Sequence, residues 1–187
     1  MPRHPPLPSH QGGQHRGEWQ ADFSLKPAVC KGRGNMTGTS LAELADAMKD
    51  GWIAGTADTS YEVKGPCPAE FWSSAEGTLQ FDIKDGALRH VSLAEDGEPM
   101  KVTRLVGVAR LREGQIEMRD ARLDSPEGKF QLSGTASLKG ELDLQLARVP
   151  NNAVLALYTI TGTLAEPQVN RSSSSETQAR LKADPAK

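Results

Sequence analysis

The feature that most constrains this chain is a phrase repeated from about Gly77 to Val169, an alternating apolar/polar run closed by a short turn built around glycine. Leu79, Phe81 and Ile83 alternate with Gln80, Asp82 and Lys84 and lead into Asp85-Gly86. Phe130, Leu132, Gly134, Ala136 and Leu138 alternate with Gln131, Ser133, Thr135 and Ser137 and lead into Lys139-Gly140. Leu142, Leu144 and Leu146 alternate with Asp143 and Gln145. Side chains on a strand point to opposite faces with period two, so each run predicts a strand with one apolar and one polar face. Consecutive hairpins place every apolar face on one side of one sheet.

The remaining punctuation agrees. Strands are expected at 76–83, 87–93, 101–111, 115–123, 128–138, 141–148 and 156–164. Their turns are Lys84-Asp85-Gly86, Asp96-Gly97, Arg112-Glu113-Gly114, Ser125-Pro126-Glu127-Gly128 and Lys139-Gly140. Glycine supplies the positive φ of hairpin turns, and Pro126 presets the turn before Gly128. The run 115–123 breaks its own alternation: Ile116 and Met118 share a face, while Ala121 and Leu123 fall on the other. A one-residue bulge near Arg119-Asp120 would restore the register. The run 101–111 is apolar on both faces, which suits a central strand covered on both sides.

Upstream, residues 1–17 are rich in Pro, His, Gly and Gln and are expected to be a disordered leader. Trp19, Ala21, Phe23 and Leu25 read as a short strand, and residues 31–38 as a flexible glycine loop. Ser40 and Glu43 suggest a capping box before a helix of about ten residues carrying Leu41, Leu44, Ala45 and Met48. Ile53 to Val63 is a strand of mixed quality. Phe71 and Trp72 are expected to anchor by burial the piece from Cys67 to Ala75, which reads as irregular or a single helical turn. Residues 171–187 are polar and low in complexity, an expected disordered tail. The fold class is therefore mainly β: a curled antiparallel meander with one short helix, open and groove-like, occupying 18–170 between disordered termini.

Little in the chain offers chemistry. With 22 basic and 24 acidic residues it has no basic excess of the kind nucleic-acid binding usually shows. Gly34 and Gly38 enclose three residues, and Thr39 stands where a phosphate-binding loop needs lysine. Three of the four histidines, His4, His10 and His15, lie in the leader, and His90 sits on a polar strand face. Cys67 lies between two prolines with no histidine near it, which disfavours a nucleophile. The expectation is a protein without enzymatic activity, cofactor or metal. Cys30 and Cys67, 37 positions apart, could form a disulfide in an oxidising compartment or stay as free thiols. No stretch of about 18 apolar residues is present, and the leader has no apolar core of a signal peptide.

The apolar side of the sheet outnumbers what the chain visibly carries to cover it. Burying one Leu or Phe is worth about 1.5–3 kcal/mol, and a contiguous exposed strip invites association. The sheet closes on itself, a partner covers it, or it forms a trough for an apolar ligand.

The stretch from Gly34 to Val169 resembles the C-terminal region of AsmA-like proteins. The resemblance rests on the glycine-led helix start Gly38-Thr39-Ser40-Leu41, the phrase Glu76 to Leu88, and Arg104-Leu105-Val106-Gly107 before the Glu113-Gly114 hairpin. It continues in Phe130 to Leu138 leading into Leu142-Asp143-Leu144, and in the closing Ile160-Thr161-Gly162-Thr163-Leu164-Ala165-Glu166-Pro167-Gln168-Val169. The resemblance implies a non-enzymatic, periplasmic, inner-membrane-associated module. Its apolar groove would move phospholipid and serve outer-membrane assembly. The expected lining is Leu79, Phe81, Ile83, Phe130, Leu132, Leu142, Leu144 and Leu146, and the expected partners are lipid acyl chains and other envelope proteins at the sheet edges. Family members are usually longer and carry a membrane anchor, so the chain is expected to be a fragment or short member, reaching the membrane through a missing anchor or a partner. The alternative is a structural scaffold whose sheet is covered by itself or by a partner protein.

Overall fold

The computed structural model describes residues 13–43, 53–67, 71–93, 97–149 and 156–172. Ten strands follow one another: β1 (Gln14–Asp22), β2 (Val29–Ser40), β3 (Ile53–Pro66), β4 (Glu76–Leu88), β5 (Met100–Arg112), β6 (Gln115–Ser125), β7 (Gly128–Ser137), β8 (Glu141–Arg148), β9 (Ala156–Thr163) and β10 (Pro167–Ser172). They form one unclosed sheet in sequence order, every neighbouring pair antiparallel. This is the meander the alternation predicts. Two short helical pieces accompany it, residues 41–43 and Phe71–Ser74. The first begins where expected, with the Glu43 amide donating to Ser40 Oγ at 3.4 Å; the rest of the expected helix lies outside the described residues.

The hairpin at Glu113-Gly114 has positive φ at both residues, 51° and 74°, as a two-residue turn between twisted strands requires. The bulge expected near Arg119-Asp120 is present: Met118 faces Gly134 and Ala121 faces Leu132, so two residues of β6 oppose one of β7.

Several expectations are corrected. The glycine run 31–38 is not a loop but the middle of β2, paired with β1 on one side and β3 on the other. The leader gives way to strand at Gln14 rather than after residue 17, and the stretch from Phe23 lies beyond β1. Asp85-Gly86 does not end a strand. β4 runs through it to Leu88, because Gly55 on β3 faces the two residues Asp85 and Gly86, a bulge that absorbs the positive φ of Asp85. The strand expected at 87–93 is instead a turn and an irregular segment beyond Leu88, of which 94–96 lie outside the described residues. The expected tail contributes Arg171 and Ser172 to β10. Trp72 is exposed, and only Phe71 anchors its helix.

β5 is not covered on both sides. The Asp85 irregularity slips the in/out alternation by one on β4 and β5 together, so Met100, Val102, Leu105 and Ala109 are buried on one face. Val108 is left 50% exposed on the other.

Candidate functional site: the apolar face

Pairing register turns the alternation into rows that cross the sheet. One row runs Tyr61, Leu79, Ala109, Met118, Gly134, Leu144, Ile160, Val169 from β3 to β10. A second runs Ala57, Ile83, Leu105, Leu123, Phe130. A third runs Ala121, Leu132, Leu146, Tyr158. All eight residues expected to line the apolar face belong to one cluster, seven buried within it and Leu79 partly buried against it. Directly opposed side chains on one face sit close enough to pack, which makes each row a chain of contacts.

Large residues also lie beside glycines on neighbouring strands. A Cβ added to Gly107 would come within 2.7 Å of the Ala121 methyl and 3.0 Å of Phe81 Cζ, and one on Gly32 would meet the Trp19 ring at 2.7 Å. The glycines are the floor on which the neighbouring rings lie.

Sequence reasoning missed part of this face. Met100, Val102, Leu105, Ala121 and Leu123 are as buried as the expected residues. The bulge inferred on β6 already assigned Ala121 and Leu123 to the face of Ile116, and that signal was sufficient to include them. Leu138 goes the other way: its amide donates to the Gly114 carbonyl at 2.8 Å in the β7–β8 turn, and its side chain is exposed.

The chain covers much of this face itself. The Val91 amide donates to the Leu88 carbonyl at 3.2 Å, and the Met100 amide to the Val91 carbonyl at 2.8 Å. This folds the segment beyond β4 over the sheet and buries Val91 in the cluster, with Leu41, Leu93 and Leu164 packed against it. An apolar cavity of about 30 Å³ is left among Val91, Leu105, Leu123, Leu144, Ile160 and Leu164. A void of that size has room for about one or two waters and none for an acyl chain.

A second, smaller cluster sits toward β1. Val63, Phe71 and Ala75 are buried there against Cys30, Tyr61 and Leu111. Cys30 and Cys67 form a disulfide with Cα atoms 5.4 Å apart, which ties β2 to the end of β3 beside the Phe71 helix. Trp19 meets Phe71 edge to face at 5.5 Å.

The opposite face is a charge lattice. One row reads Glu18, Arg33, Glu62, Thr78, Arg110, Glu117, Thr135, Asp143, Thr161, Gln168 across all ten strands. Asp58 and Asp82 are direct cross-strand neighbours. Their repulsion is relieved by Lys84, whose Nζ lies 3.3 Å from Asp58 and 3.6 Å from Asp82. Arg104 donates two hydrogen bonds of 2.9 Å to the Asp82 carboxylate, and these, with its positive charge, hold that carboxyl below the usual aspartate range. The Gly38 amide donates to Asp58 Oδ1 at 2.8 Å and, with Lys84, lowers the Asp58 carboxyl in the same way. These groups hold a two-sided sheet with its polar side to solvent.

His90 is exposed. Among the described residues, no group of three or more His, Cys, Asp or Glu side chains could hold a metal ion. No helix among them is long and apolar enough to cross a membrane. No family model matches the chain, and no curated protein or solved structure matches it.

Proposed function

We propose that the chain is a non-enzymatic, AsmA-like envelope module whose apolar sheet face holds phospholipid acyl chains during transfer between membranes in the periplasm. The observation that carries this reading is an unclosed ten-stranded sheet with one apolar face, on which a row of mostly apolar residues crosses from Tyr61 on β3 to Val169 on β10. An open sheet with one oily face can be extended at an unguarded edge into a longer trough, and each acyl methylene it takes from water is worth about 0.8 kcal/mol. With Val91 and Leu93 packed on it, the apolar face leaves a cavity of only about 30 Å³. Lipid therefore enters by displacing Val91 and Leu93, replacing one set of apolar contacts by another. The charge lattice on the opposite face keeps that side in water, and no bond is made or broken.

The experiment is a photo-crosslinking residue at Leu79, at the partly buried rim of the cluster, compared with one at Val108 on the other face. Crosslinks to phospholipid from position 79 and none from 108 are expected. Equal yields from both positions, or none from 79, would remove the lipid reading. A second reading, a scaffold whose sheet is covered by itself, is favoured by the size of the cavity, about 30 Å³. It predicts no crosslink at position 79.

A further inference from the structure

We propose that β1 is a self-association edge, on which a second copy of the chain pairs through its own β1 about a two-fold axis at Gly17. The two edges of the sheet are built differently. β10 is six residues long and opens with Pro167, which has no amide to donate and is a common guard of exposed edges. β1 is nine residues long, contains neither Pro nor Lys, and is exposed along its whole length. Among the described residues no strand pairs with its outer side, so its outer backbone groups are a template for another strand.

The side chains select one register for an antiparallel second copy. With Gly17 opposite Gly17, Arg16 of each copy faces Glu18 of the other, twice over by symmetry. On the opposite face the same register sets His15 against Trp19, and Gln14 against Gln20 on the polar side. A shift of two residues in one direction sets Glu18 against Glu18, and in the other Arg16 against Arg16. Like charges directly opposed across strands are destabilising, so both shifts are disfavoured. A shift of one residue would set polar-face positions against apolar-face ones and turn the two sheets over relative to each other. The favoured register also continues the polar row, since Glu18 already pairs with Arg33 on β2. On the apolar face it sets the half-exposed Trp19 ring, 51% accessible, against His15 of the second copy. The proposed pairing is isologous, closes on two copies and leaves β10 at both ends of a twenty-stranded sheet.

The test is the molar mass of the chain in solution by light scattering, with its charge-swapped variants. The parent chain is expected to be a dimer. Arg16→Glu places carboxylates opposite each other at two symmetric positions and should raise the dimer dissociation constant about tenfold or more. Arg16→Glu/Glu18→Arg restores opposite charges across the axis, though it gives up the Glu18–Arg33 pair within each copy, and should recover the dimer at least in part. Circular dichroism of each variant, expected to match the parent, confirms that the sheet is intact. A monomeric parent, a dimer indifferent to Arg16→Glu, or a double variant that stays monomeric would each overturn the proposal.

Discussion

The pair Asp58 and Asp82 shows at the residue scale how two like charges can stand side by side in a sheet. Each carboxyl lies below its ordinary value, Asp82 chiefly through Arg104 and Asp58 chiefly through the Gly38 amide. A carboxyl whose folded value is lowered adds stability in full above its unfolded value, and that stability is lost as pH falls through the folded value. Thermal stability should therefore be flat above about pH 4, near the ordinary aspartate value, and decline below it. Arg104→Ala should move the Asp82 titration upward, read by NMR of the side-chain carboxyl. On the other face, Leu146 is fully buried between Leu132 and Tyr158. Leu146→Ala should cost about 2–5 kcal/mol in a denaturant titration, through lost contacts and the cavity left behind.

Elements carry two further tests. Gly134 on β7 has φ 120°, and a Cβ there would lie 2.2 Å from the Asp143 carbonyl oxygen. Gly134→Ala should cost more than the ordinary effect of a strand substitution, about 1–3 kcal/mol, and act by prising β7 from β8. The Cys30–Cys67 disulfide closes a loop of sequence separation 37 around the β2–β3 hairpin. Replacing both cysteines by serine should lower stability by about 3–4 kcal/mol, measured as a downward shift in thermal midpoint. The same elements explain what could be read from the chain. β7, β8 and the β6 bulge were legible because alternation and its single break carry the register. β2 was not: Lys31-Gly32-Arg33-Gly34 has no apolar side chain to alternate, and it is a strand because β1 and β3 pair with it from either side. Asp85-Gly86 reads locally as a hairpin turn, and the long-range pairing with Gly55 converts it to a bulge inside β4. β5 misled because its alternation slips near Thr103, which splits one apolar face between two apparent ones. The eight residues expected on the apolar face share one cluster because all lie on stretches without such a slip.

At the scale of the whole molecule, an apolar face spans most of one open sheet and is covered in part by Val91 and Leu93 beyond β4. Val91, Leu93, Leu41 and Leu164 cover part of that face themselves. On the proposed reading, loading would exchange those contacts for acyl chains and leave the strand ladder in place. The measurement that tests this most directly is the phospholipid content of the folded chain purified from an envelope that contains it, by native mass spectrometry. The account predicts a population carrying bound phospholipid, diminished by Leu79→Asp while the circular dichroism of the sheet is retained. A folded chain that is lipid-free under those conditions would contradict it.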